Sequence, residues 1–126
     1  MSLSFYSPPG SPRLPRALLG RLKNAVLGKD YALSIAFVAL REMRRLNRRY
    51  RGRDSATDIL SFPLARTHGE ILFCMREVKR AAPKFHATPP RFLPYLLIHG
   101  MLHLKGLTHG RRMERLERQF CKRFFI

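Results

Sequence analysis

The chain has 126 residues, room for one domain with a buried core rather than for two. Its 45% apolar content argues against disorder, no apolar run approaches the roughly 20 residues that span a bilayer, and its two cysteines are too few for a disulfide scaffold. Twenty-five Lys and Arg stand against eight Asp and Glu, a net charge of +17, and 19 of the 25 are arginines. The guanidinium fork suits phosphate, so a polyanion is the expected partner and nucleic acid the first candidate. A GC-rich genome is the other source of such an arginine excess.

The N-terminal stretch carries no acidic residue before Asp30 and is rich in Ser, Pro and Arg. In composition it resembles a transit peptide, but it has no signal-peptide apolar region. Leu3 to Tyr6 reads as a short strand and Ser7 to Pro12 as a turn cluster. From Pro15, the spacing of Leu18, Leu19, Leu22, Ala25 and Val26 predicts a helix that Gly28 stops. A cytoplasmic location is the expectation.

Leu33 to Val38 is strand-like. Between Ala39 and Arg49 the apolar residues Leu40, Met43, Leu46 and Tyr50 recur at helical steps, with Arg41, Arg44, Arg45, Arg48 and Arg49 on the other face. A loop, RGRDSA, comes next. Asp58 to Phe62 reads as a strand stopped by Pro63, and Glu70 to Cys74 as its hairpin partner, with five to seven residues between. Met75 to Ala82 predicts a short helix ended by Pro83. The next helix starts either at Pro89, with Thr88 as its cap, or at Pro94. Tyr95 to Gly106 is apolar on nearly every side, as a buried helix is, whereas Arg111 to Phe125 is amphipathic, with Met113, Leu116, Phe120 and Phe124 on its apolar face. Cys74 and Cys121 read as reduced core thiols.

The chemistry sits in HGMLHLKGLTH, residues 99 to 109. His99 and His103 are four apart, on one helix face and one turn from each other, so both imidazoles reach one ion. Gly106 ends the helix and lets the chain reverse, which returns His109 as a third ligand. Three neutral imidazoles leave a fourth position open on zinc, the layout of a catalytic rather than a structural site. The spacing equals that of the metzincin proteases, but Gly100 stands where they carry the glutamate that takes the proton. Peptide hydrolysis by that route is disfavoured.

HGMLHLKGLTHG resembles the HGxLHLxGxDH signature of the YbeY family of endoribonucleases. LNRRYRGRDSATDILSFPL (Leu46 to Leu64) is similar to that family's LNxxYRxxDxPTDVLSFP, and GEILFC (Gly69 to Cys74) to its GDIxI strand. The blocks come in the family's order and cover most of residues 33 to 110. The resemblance implies an α+β fold in a single domain over 1–126, with a mixed four-stranded sheet, helices packed on it, and a metal cleft at the His-bearing helix and the turn after it. It implies a zinc-dependent, single-strand-specific endoribonuclease of small-subunit ribosomal RNA 3′-end processing and ribosome quality control. The implied partners are single-stranded RNA and the small ribosomal subunit. It puts one zinc ion on His99, His103 and His109, and catalytic roles on Arg51 and His103.

The sequence departs from the family pattern at Thr108, where the family has Asp before the last His, at Glu70 for Asp, and at Ala56 for Pro. Thr108 offers only a hydroxyl where the family has a carboxylate. Asp58 and Glu70 are possible proton carriers, each also readable as a solvated or capping carboxylate. His68 and His86 read as surface residues, and Ser61 and Thr57 lack the His partner of a nucleophile. A zinc protease-like hydrolase and a non-catalytic RNA- or ribosome-binding module with structural zinc are the competing classes.

Overall fold

A computed structural model describes residues 2–6 and 14–126 of the chain; the turn cluster expected at Ser7 to Pro12 lies outside them. Their order is β1 (Ser2–Tyr6), α1 (Arg16–Val26), β2 (Ala32–Phe37), α2 (Leu40–Arg51), β3 (Ile59–Ala65), β4 (His68–Phe73), α3 (Met75–Ala81), a 3-10 turn (Ala82–Phe85), α4 (Pro89–Leu104) and α5 (Arg111–Arg123). The fold is a mixed α+β one, as the sequence led us to expect. The sheet runs β1-β2-β4-β3, with β1 parallel to β2, β2 parallel to β4, and β3 antiparallel to β4.

Each sheet face buries its own set of side chains, because successive residues of a strand point to opposite sides. On β2 the alternation is strict: Leu33, Ile35 and Phe37 are buried. They join Ile71 and Phe73 of β4 and the apolar residues of α1 and α4 in the main core. Phe37 stacks on Phe73, ring centroids 5.5 Å apart, where the β2–β4 register pairs them. The opposite face holds a smaller core of Met43, Leu60, Leu72 and Cys74 beneath α2. The arginine-rich α2 therefore lies across the sheet from α4.

Lys23 is fully buried on α1. Its ammonium donates to the carbonyls of Gly28, Lys29 and Tyr31, at 3.1, 3.0 and 2.8 Å, and so clamps the α1–β2 loop. Burial lowers the lysine pKa, and the charge of Asp30 opposes that shift. The three carbonyls supply the bonds that an unpaired buried cation lacks.

Several element boundaries differ from the sequence expectation. Strand β3 does not stop at Pro63 but continues to Ala65, with a register irregularity between those two residues. A missing N–H is tolerated there because β3 is the last strand of the sheet. The hairpin turn is consequently just Arg66 and Thr67. Helix α2 extends to Arg51, closed by Gly52 in the left-handed region, so Arg51 is helical rather than in a loop. Tyr50, expected on the apolar face, is exposed and meets Phe62 edge-on. Helix α4 begins at Pro89, the first of the two starts considered, and runs through Pro94, whose ring is buried with Phe92, Leu93, Leu96 and Leu97. Among the described residues no helix is long and apolar enough to cross a membrane.

Candidate metal centre

Helix α4 is wedged between the sheet and its neighbours, and its apolar residues Leu97, Ile98, Met101 and Leu102 are fully buried. His99 and His103 occupy the half-buried stripe that remains. Gly100 sits on the sheet side: a Cβ there would lie 2.7 Å from Ile59 Cδ1, 2.9 Å from Ser61 Oγ and 3.2 Å from Ile71 Cδ1. The residue that distinguishes this motif from the protease pattern is thus glycine because β3 and β4 leave no room for a side chain. Ser61 is accounted for as well, since its hydroxyl donates to the Gly100 carbonyl at 3.1 Å.

The end of α4 orients the second imidazole. Gly106, at φ +99°, donates to His103 O and Leu107 donates to Leu102 O, the paired bonds of a Schellman turn. That turn brings the Leu107 carbonyl under His103, whose Nδ1–H donates to it at 3.0 Å. A carbonyl only accepts, so the proton of the neutral ring is on Nδ1 and the lone pair on Nε2. His99 is oriented from α5 instead: its Nδ1 lies 2.5 Å from Glu117 Oε1. Tyr95, one turn earlier on α4, donates its hydroxyl to Glu117 Oε2 at 3.2 Å. Burial, together with the Glu117 carboxylate, pushes the Tyr95 phenol up to about 12, which keeps it a donor.

Both bonds turn the Nε2 atoms inward, where they stand 3.1 Å apart. The exposed His109 ring returns beyond the turn, with its centroid 5.2 Å from that of His99 and 4.8 Å from that of His103. One ligand nitrogen from each of the three lies within 4.8 Å of the others. Two lone pairs facing each other at 3.1 Å repel unless a proton or a cation lies between them. Ligands at about 2.0–2.1 Å from a tetrahedral ion stand about 3.3 Å from each other, so the donor set and its spacing fit zinc. Burial also lowers the His103 pKa, although the Leu107 bond opposes it; the neighbouring His99, His109 and Arg51 act in the direction of burial. A neutral imidazole is the form that binds metal. One side of the cluster opens onto a cavity of about 140 Å³ bounded by Tyr95, His109, Met113 and Glu117.

The other candidate residues fall in different places. Arg51, exposed at the end of α2, makes no ion pair among the described residues, and its charge reaches His103. Two arginines of the same helix are already paired, Arg44 bidentate to Asp54 and Arg45 bidentate to Glu42. Asp58 precedes β3 close enough to feel His99, and burial raises its pKa in spite of bonds from Thr57 and the Ile59 N–H. Glu70 faces α2 with Val38, Leu46 and Phe62, across the sheet from the histidines; a shared site with them is corrected by that placement. Thr108 is exposed. His68 and His86 are exposed, and both cysteines are free.

Glu117 is the functional residue that the sequence did not disclose. It is only 8% exposed and contributes the only carboxylate bonded to a cluster imidazole among the described residues. Its signal was present in the spacing: Glu117 falls between Met113 and Phe120 on the apolar stripe of α5, an acid where an aliphatic residue belongs.

This arrangement, a helix-borne His pair with a third His beyond a glycine turn on a mixed α+β sheet, offers three ligand nitrogens to one ion. The family model described as Endoribonuclease YbeY matches residues 14–124, and the chain belongs to that family. A Bordetella pertussis relative, Endoribonuclease YbeY, is 35% identical over all of this chain and 93% of its own length. The relative of the same name from Aromatoleum aromaticum is 37% identical over 80% of this chain and 71% of its own. One from Finegoldia magna is 35% identical over 69% of this chain, which spans only 61% of that relative. A solution structure of a Thermotoga maritima protein superposes with a TM-score of 0.63 at 26% identity, covering 98% of this chain and 89% of that one.

Proposed function

We propose that the chain is a zinc-dependent endoribonuclease specific for single strands. It acts in the cytoplasm on the 3′ end of small-subunit ribosomal RNA and in ribosome quality control. The observation that carries this reading is the inward pair of Nε2 atoms on His99 and His103, each held by a bond to its Nδ1. His99, His103 and His109 hold the ion. When bound, zinc supplies Lewis acidity toward a phosphoryl oxygen and acidifies water toward a pKa of about 7.

The remaining work falls to the chain's own groups. Glu117 fixes the His99 ring and balances charge at the centre; Leu107 fixes His103. Arg51, which meets no carboxylate among the described residues, offers a bidentate fork to the scissile phosphodiester, where it stabilises charge that builds on the phosphoryl oxygens. The +17 charge draws the polyanion in. Family membership supports RNA as the substrate, and the packing around Gly100 argues against the protease-like alternative.

The deciding experiment combines metal analysis of the purified protein with cleavage of single-stranded and duplex ribosomal RNA fragments, with and without chelator. The reading requires one zinc per chain, cleavage of the single strand only, and its loss in chelator. Cleavage that persists without metal refutes it.

A further inference from the structure

A second, larger cavity of about 440 Å³ opens beside the metal centre, walled by Phe85, His86, Arg91, Phe92, Tyr95 and Cys121 among others. Tyr95 borders both cavities. An aromatic path runs between them. Phe85 stacks on Phe92 with centroids 5.0 Å apart at 28°, Phe92 on Tyr95 at 5.9 Å and 25°, and Tyr95 lies 6.4 Å from the His99 ring. Phe92 is buried and forms the floor, but Phe85 is 56% exposed. A phenylalanine so placed keeps a flat apolar face in water in a mostly apolar cavity that Arg91 also lines.

We propose that this cavity is a stacking subsite for one unpaired RNA base next to the phosphodiester held at the metal centre; it rests on the reading of the chain as a ribonuclease. The occupant must present a flat π face to Phe85, tolerate the Arg91 guanidinium at the rim, and be tethered to a group in the histidine cavity across Tyr95. A base of a single strand meets all three conditions, whereas an aromatic peptide side chain meets the first two but carries no phosphodiester to seat in the histidine cavity. Stacking on aromatic rings is available to every base and needs bases that are not paired. The subsite thereby selects single strands without selecting sequence.

The test uses the full chain and two fluorescein-labelled RNA decamers with the same number of phosphates, one an oligoadenylate and one abasic throughout. Binding is measured in chelator, where the RNA stays intact, and again with zinc. Phe85→Ala and Phe85→Leu weaken oligoadenylate roughly ten- to a hundredfold, while Phe85→Trp holds it. The abasic decamer, bound through phosphates, changes by less than about twofold in all three variants. Equal binding of oligoadenylate by Phe85→Ala and wild type overturns the proposal. So does equal weakening of both decamers, which marks a general structural effect. Those two results leave the ribonuclease reading standing; failure of the wild-type chain to bind either decamer in either condition overturns both.

Discussion

His99 Nδ1 and Glu117 Oε1 approach to 2.5 Å across the α4–α5 interface, which makes a buried carboxylate of one helix the anchor of an imidazole on another. A carboxylate behind a ligating histidine fixes its tautomer and raises its basicity. Glu117→Gln therefore lowers zinc affinity about 10- to 100-fold, read by competition with a chromogenic chelator. Tyr95→Phe removes only the bond to Oε2 and has the smaller effect. Unchanged affinity in Glu117→Gln would reduce the contact to helix packing.

His103→Ala removes one of the two inward Nε2 atoms, together with the bond from the ring's Nδ1 to Leu107. Stoichiometric zinc is lost, while the metal-free protein remains folded because the ring is only half-buried. Metal analysis after gel filtration, with circular dichroism for the fold, checks both statements. Retention of zinc at one per chain contradicts the ligand assignment.

Arg51→Ala leaves zinc content and melting temperature as in the wild type, since the side chain is exposed and without an ion-pair partner among the described residues. It lowers the turnover of RNA cleavage by about 10²–10³, the range for losing one donor to a developing oxyanion. Arg51→Lys restores part of the rate, a point charge in place of a fork. An unchanged turnover in Arg51→Ala removes the phosphate role.

Gly100→Ala gains up to about 1 kcal/mol of helix propensity but inserts a methyl against three side-chain atoms at 2.7–3.2 Å. Ile71 is fully buried and Ser61 is tied to the Gly100 carbonyl, so neither yields freely. Overpacking of this kind costs about 1–3 kcal/mol, and the variant melts below the wild type. Gly100→Glu, which restores the protease pattern in sequence, destabilises more and confers no peptide hydrolysis. Calorimetry and a casein assay read the two outcomes.

Burial raises the Asp58 pKa above its unfolded value. The folded state then binds the proton more tightly, so this contribution to stability is full below pH about 3.8–3.9. It is lost as pH rises through the folded value. At neutral pH the carboxylate is a partly buried charge, and Asp58→Asn, which still accepts from Thr57 and Ile59, melts higher than the wild type there. The difference shrinks on acidification. Melting curves from pH 3 to pH 7 (roughly the span of the two protonation states) test the sign; a constant gap contradicts it.

The histidine pair was legible because helix periodicity alone puts residues 99 and 103 on one face, and because a glycine three positions further on announces a reversal. Glu117 was not, since nothing local to α5 says which neighbour its acid meets; only the packing of α5 on α4 pairs it with His99. Pro63 misled in the opposite direction. It read as a stop because a proline cannot donate, but a terminal strand needs no donor on its open side. The extent of α2 was underestimated by two residues, since Gly52 and its left-handed φ of 68° close the helix and the arginine run beforehand does not. The sequence left Glu70 open, as a possible proton carrier or a solvated strand carboxylate; strand alternation places it on the face toward α2, away from the histidines.

Pro63 has a further consequence. The outer rim of β3 is a row of main-chain groups that, left regular, would recruit the rim of another molecule. The ring at Pro63 deletes one donor, and the register irregularity before Ala65 breaks the regular ladder, so the two together spoil that template. Protection against intermolecular strand addition is thus written into the segment that leads away from the metal centre.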